Sequence, residues 1–300
     1  MESTMSEFKR ILALVNDGAR SDAVLALAAR LARTHAARVD ALHAVEPLAS
    51  GAYLSPEAAS VAVQWLRQSE DERRATAQAR VKRAAQAAGV EIALSHVDGN
   101  AVEQTLQRAC SADLVVLSQR DPRSSDGTTA GFAERLLIAT ATPLLFVPYI
   151  DALAPEADGA PSLGTRAIVA WTPKRESVRA LRDALPLLRR ADSVELMRFV
   201  RPDAGDDGLL EQALAYLAAH GVTATATLRH AAHPSLGERL IAVDTVDAPI
   251  AEALLSHAAD TEADLIVMGG YGHPRAWELA MGGVTRTMLR SMTVPVLMSH

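Results

Sequence analysis

The sequence predicts an α/β fold built twice, as two tandem domains that each carry a parallel sheet covered by helices on both faces. Three observations lead there. Short apolar runs alternate with longer stretches of helical periodicity along the chain, the pattern of β-strands joined by crossover helices. The run Ala112-Asp-Leu-Val-Val-Leu117 returns 151 residues later as Ala263-Asp-Leu-Ile-Val-Met268, and Thr142-Pro-Leu-Leu-Phe-Val147 returns 152 residues later as Val294-Pro-Val-Leu-Met298, so the chain is a tandem duplication. Finally, 300 residues suit two units of about 150, each large enough to bury a core. The expected bounds are 1–149 and 165–300, with 150–164 as a linker of prolines, glycines and acids without periodicity.

In the first half, Arg10 to Val15 reads as a strand and Ser21 to His35 as a helix capped by Ser21 or Asp22. Arg38 to Val45 alternates as a second strand. Pro56 to Ala88 is a long helix, opened by proline in its first turn and closed by Gly89, and its charge run Glu70-Asp-Glu-Arg-Arg74 solvates the outer face. Val90 to His96, Leu114 to Leu117 and Leu144 to Val147 complete five strands, separated by helices Ala101 to Cys110 and Gly131 to Thr140. The second half starts over: strand Arg166 to Trp171, helix Glu176 to Arg190, strand Ser193 to Val200, helix Gly208 to His220, strand Val222 to Arg229. The stretch from His230 to Asp244 has no counterpart in the first half. It reads as a flap or contact surface, with a short extra strand at Leu240 to Val243. Helix Pro249 to Glu262, strand Leu265 to Met268, helix Val284 to Met292 and strand Pro295 to Met298 close the chain.

A net charge of −6, with arginines interleaved among acids, leaves no electrostatic footprint for nucleic acid. The single cysteine, Cys110, excludes an internal disulfide and a multi-cysteine zinc site, and is expected to pack in the core of its helix. No stretch reaches membrane-spanning length, and MESTMSEFKR lacks the apolar core of a signal peptide, so a cytoplasmic protein without a membrane partner is expected. His230, His233 and Asp244 are too few for a metal site, and Gly-x-Ser-x-Gly and Walker motifs are absent.

The stretch that carries chemistry runs from Ala263 to His300. A strand ending at Met268 opens into Gly269, Gly270 and Gly272, and Gly282-Gly283 then precede a helix that begins near Val284. Glycines admit close approach of a ligand, and a helix N-terminus presents N–H groups, so this order suits a phosphate. Gly, two residues, Gly, nine residues, Gly is the spacing of Gly269, Gly272 and Gly282, and it resembles the nucleotide-binding members of the universal stress proteins. Those members place Ser or Thr next, where this chain has Gly283; Thr285, one short turn on, is expected to substitute in part. His273, Arg275 and Arg286 are the nearby cations.

The resemblance covers both halves and implies Rossmann-like, doubly wound domains of strand order 3-2-1-4-5, with ligand at the switch point between the first and fourth strands. It implies ATP or another adenine nucleotide as ligand, Mg2+ entering only with it, and a stress sensor or regulator with an unknown protein partner. Family members that bind ATP commonly have Asp at the end of the first strand, where the second half has Thr172 and the first has Asn16-Asp17. Shifting the motif by 151 residues turns Gly269 into Ser118, Gly272 into Asp121 and Gly283 into Phe132, so the first half is expected to have lost the site. The alternatives are a member that works through protein contacts alone and a nucleotide-hydrolysing enzyme. No catalytic base or metal-binding carboxylate pair is recognisable, which leaves at most slow ATP hydrolysis. The fifth strands, 144–147 and 296–298, are apolar edges without a blunting charge, so they are expected to pair within the chain as a pseudo-dimer; a larger homo-oligomer would need another surface.

Overall fold

The computed structural model describes residues 7–45, 56–121, 131–150, 163–200, 205, 207–230, 248–270 and 283–300. The first half runs β1 (Arg10–Val15), α1 (Ser21–His35), β2 (Arg38–Val45), α2 (Pro56–Ala88), β3 (Ile92–Asp98), α3 (Ala101–Ala109), β4 (Leu114–Ser118), α4 (Phe132–Ala139) and β5 (Leu144–Val147). The second runs β6 (Arg166–Ala170), α5 (Arg175–Asp183), α6 (Leu185–Leu188), β7 (Ser193–Val200), α7 (Leu209–Ala219), β8 (Thr225–His230), α8 (Ala248–Asp260), β9 (Leu265–Gly269), α9 (Gly283–Ser291) and β10 (Val296–Ser299). The strand expected at 240–243 lies outside the described residues, as does most of the linker.

The ten strands of the described residues form one sheet, in the order β3-β2-β1-β4-β5-β10-β9-β6-β7-β8. Each half is parallel and keeps the order 3-2-1-4-5. The halves meet where β5 pairs antiparallel with β10, Phe146 opposite Val296 and Leu144 opposite Met298. The two apolar edges thus bury each other: residues 144–147 and 296–298 have no measurable exposure. Alternation sorts the strand residues onto two layers. Ile11, Ala13 and Val15 face α1, α2, α5, α6 and α7, whereas Leu12 faces α3, α4, α8 and α9. Both layers run through both halves. Glu7, ahead of β1, lies 3.4 Å from Arg190, ahead of β7.

The repeated Ala-Asp-Leu motif has a structural reason. Asp113 Oδ2 accepts the N–H groups of Lys9 and Arg10 at 2.7 and 2.8 Å, and Asp264 accepts those of Thr165 and Arg166 at 3.0 and 2.9 Å. In each half, the aspartate before the fourth strand fixes the start of the first.

Several local expectations are corrected. The third strands start later than alternation suggests, because Val90 and Val222 donate back to Ala85 and Leu217 to close the preceding helices, around Gly89 and Gly221 at φ +67° and +76°. The helix expected over 176–190 breaks after Asp183, since Pro186 lacks an N–H and its ring would crowd the carbonyl of Arg182. Ser21 does not cap α1; its Oγ accepts from the Asn16 N–H at 3.0 Å and tethers the end of β1. Cys110 is exposed rather than core, a cap residue whose Sγ lies 3.3 Å from Leu106 O.

One polar cluster under α8 makes a pH prediction. Glu195 on β7 shares a hydrogen bond with His257 Nε2 at 2.7 Å and accepts from Thr227. Burial pushes its carboxyl up, but the bonds from Thr227 and His257 outweigh burial and leave it below the ordinary 4.5. A lowered folded-state pKa gives stability that is present above the unfolded value and lost as pH falls through the folded one. Denaturant titrations of the protein and Glu195→Gln should therefore differ at neutral pH and converge on acidification below that lowered value. A difference that persists there would assign the bonds no role in the ionised form.

Candidate functional site

In the second half the strand order reverses between β9 and β6, so a crevice is expected beyond their carboxyl ends. Ala170 lies opposite Met268, and both chains leave the sheet within the next residues. On the β6 side, the Thr172 N–H donates to Ser177 Oγ at 2.9 Å, and that hydroxyl in turn lies 3.3 Å from Ala170 O. This loop of bonds aims the first turn of α5 at the crevice. Ser177 was not singled out from sequence, although Ser21 makes the corresponding bond in the first half.

The glycines on the β9 side are explained first by packing. A Cβ on Gly269 would stand 2.6 Å from Ser177 N and 2.7 Å from the carbonyl carbon of Glu176, so only glycine lets the strand end lie against the α5 backbone. A Cβ on Gly270 would stand 2.6 Å from Leu137 Cδ2, a side chain of the other half. The Gly270 N–H donates to Ser299 O at 2.8 Å, and its carbonyl faces His300 Nδ1 at 3.0 Å. Both backbone groups of Gly270 are thus engaged with the end of the chain. Met268, 4 % exposed, is likewise a core residue.

α9 begins at Gly283, followed by part-buried Val284, so N–H groups of its first turn face the loop from the helix end. Thr285 is 3 % exposed, on the same face of α9 as Met288 and Leu289. Arg286 is part-buried one residue on. Gly272, His273, Arg275 and Gly282 lie outside the described residues. Beside Thr172, a cavity of about 240 Å³ opens between α5 and α7, lined by Trp171, Pro173, Val178, Leu181, Leu209 and Tyr216.

In the first half, side-chain hydrogen bonds bridge the corresponding strand ends. Asn16 Nδ2 reaches across the ends of β1 and β4 to Ser118 Oγ at 3.4 Å, and Arg80 Nη1 donates to Gly18 O at 2.6 Å. Asp17, just past the end of β1, lies 3.5 Å from His43 Nε2 and 3.7 Å from Arg73. The bond to His43 holds its carboxyl below the usual range. His43 meets His96 across the strands, Nδ1 to Nδ1 at 3.1 Å. This polar cluster was not anticipated; the register of β2 and β3 brings the two histidines together.

Two further contacts lock the halves at the same level. Gln119, 2 % exposed, donates to Leu289 O of α9 at 2.9 Å and accepts the Tyr149 N–H at 3.0 Å. Arg179 of α5 donates to His300 O at 3.2 Å and to Ala141 O of the first half. Among the described residues, no three His, Cys, Asp or Glu side chains gather to hold a metal, and no helix is long and apolar enough to cross a membrane.

Known proteins place this geometry. The family model described as the universal stress protein family matches twice, at residues 7–148 and 165–300. A universal stress protein from Archaeoglobus fulgidus DSM 4304 superposes with a TM-score of 0.68 at 15 % identity, covering 97 % of this chain and 95 % of that one. Protein PA1789 of Pseudomonas aeruginosa PAO1, described as functionally unknown, gives 0.56 at 11 % identity over 97 % and 92 % of the two chains. A putative universal stress protein from Pseudomonas aeruginosa UCBPP-PA14 also gives 0.56 at 11 %, over 99 % and 95 %. No curated protein sequence matches. At these identities the structures speak for the fold, and the two matches of the family model speak for descent: the chain belongs to the universal stress protein family, with the family's domain present twice.

Proposed function

We propose that the second half binds an adenine nucleotide and that the protein acts as a nucleotide-responsive regulator in the stress response, in the cytoplasm. The observation that carries this reading is a coincidence of motif and topology. The glycine-spaced stretch leaves the sheet at the end of β9, beside the reversal at β6, and returns as the N-terminus of α9 at Gly283. The described residues fit the phosphate end of such a ligand, through the first N–H groups of α9. They fit the base end less well, since Thr172 brings no carboxylate; the cavity at Trp171 and Tyr216 offers aromatic and aliphatic surface there instead. Mg2+ would enter only with the phosphates, and binding rather than turnover is the role proposed.

The test is direct. Protein purified without added nucleotide, denatured and chromatographed, should release an adenine nucleotide, and a chain carrying Gly282→Leu should release none. An empty wild-type protein that also fails to bind added ATP would sink the proposal. A second reading, action through protein contacts alone, is favoured by Val61 and Trp65, 65 % and 63 % exposed and one turn apart on α2.

A further inference from the structure

Away from the nucleotide crevice, a second, half-open cavity of about 240 Å³ lies at the seam between the halves. Its walls are the end of α1, with Arg30, Thr34 and His35, and the facing part of the second half, with Thr165, Arg190 and Asp192. This exceeds the roughly 30 Å³ share of one water many times over, so a polyatomic guest fits. His35 is the unusual member. It is 1 % exposed, yet neither ring nitrogen has a hydrogen-bond partner among the described residues; Phe8 packs against the ring edge to face, centroids 5.0 Å apart. Buried polar groups are nearly always satisfied, and one facing a cavity is satisfied by what the cavity holds.

The chemistry of the lining selects the guest. Arg30 and Arg190 stand against Asp192 in the lining, while Glu7, 3.4 Å from Arg190, is itself paired with Lys9 at 3.0 Å, so the surroundings stay net positive, and forked Arg donors suit a tetrahedral oxyanion. Burial, and after it the charge of Arg190, lower the His35 pKa, against a smaller opposing pull from Glu7. The ring is therefore neutral near pH 7 and offers one N–H donor and one lone-pair acceptor. An anion that only accepts, such as sulfate, would leave the acceptor nitrogen unmatched. A phosphate that keeps one P–OH both accepts and donates, directly or through water it holds.

We propose that this cavity is a phosphate site, separate from the nucleotide crevice, that takes hydrogen phosphate or the phosphate group of a small monoester. Its occupant ties the end of α1 to the amino ends of β6 and β7, so it clamps one half of the chain onto the other. The reading is independent of nucleotide binding.

Phosphorus NMR of inorganic phosphate with the full-length protein tests it. Millimolar phosphate should show saturable line broadening and raise the melting temperature, while sulfate should raise it by less than half as much. Arg190→Gln, at a half-exposed position that tolerates change, should weaken the phosphate affinity about tenfold, the scale of one charge-assisted bond. His35→Phe, which keeps the ring packing on Phe8, should abolish the preference for phosphate over sulfate. Broadening should persist in Gly282→Leu and under saturating ATP, which separates this site from the crevice. A glycerol phosphate monoester in place of inorganic phosphate distinguishes the two sources by relative affinity. Absence of broadening, loss of it in Gly282→Leu, or equal response to phosphate and sulfate would overturn the proposal.

Discussion

Replacing Leu297 by Asp should abolish cooperative folding of the entire chain, not of the second half alone. Leu297 has no measurable exposure and lies opposite Leu145 in the only antiparallel pairing of the described sheet. It belongs to the layer shared by α1, α2, α5, α6 and α7, so its loss is felt from both halves. Truncating a buried leucine costs about 3–5 kcal/mol, and an unpaired carboxyl in that position adds several more. Whole domains hold only about 5–15 kcal/mol, so the variant should be largely unfolded. Ile138→Asp is the control: Ile138 is 37 % exposed on α4, and its replacement should change stability by less than about 1 kcal/mol. Urea melts followed by circular dichroism read both. A Leu297→Asp chain that kept the wild-type midpoint would mean that the β5–β10 seam contributes nothing to stability.

The next largest effect is expected from Asp264→Ala. Its carboxylate, 4 % exposed, takes two backbone N–H groups that have no ladder partner at the start of β6. Bonds to a charged acceptor contribute about 1.5–3 kcal/mol each, and exposed Thr165 recovers part of its share from water, so a loss of about 2–4 kcal/mol is expected. Asp113 makes the same pair of bonds at the start of β1 but is exposed, so Asp113→Ala should cost about half as much. Equal losses in the two variants would show that burial does not set the strength of this clamp.

How far the chain could be read in advance follows from where each signal is stored. Arg10–Val15, Arg38–Val45 and Ser193–Val200 were legible because alternation or a buried apolar run is written in consecutive residues. The late starts of β3 and β8 were not, because Val90 and Val222 look like strand residues and are spent on closing a helix. Pro186 did carry a local signal, the missing N–H, and the helix break follows from it. At the candidate site the glycine spacing was visible, but its causes lie far off in sequence. Gly269 is shaped by Glu176 and Ser177, and Gly270 by Leu137 of the other half. Ser177 and Gln119 act through contacts that no local pattern announces, although Ser21 and Ser177 stand at matching places after β1 and β6 and could have been found by aligning the halves there.

We propose one nucleotide per chain, held by the second half. Calorimetric titration of nucleotide-free protein with ATP tests it most directly. A stoichiometry of one is expected, unchanged by Asp17→Asn in the first half and lost in Gly282→Leu. A stoichiometry of two, or binding that survives Gly282→Leu and disappears with Asp17→Asn, would contradict it.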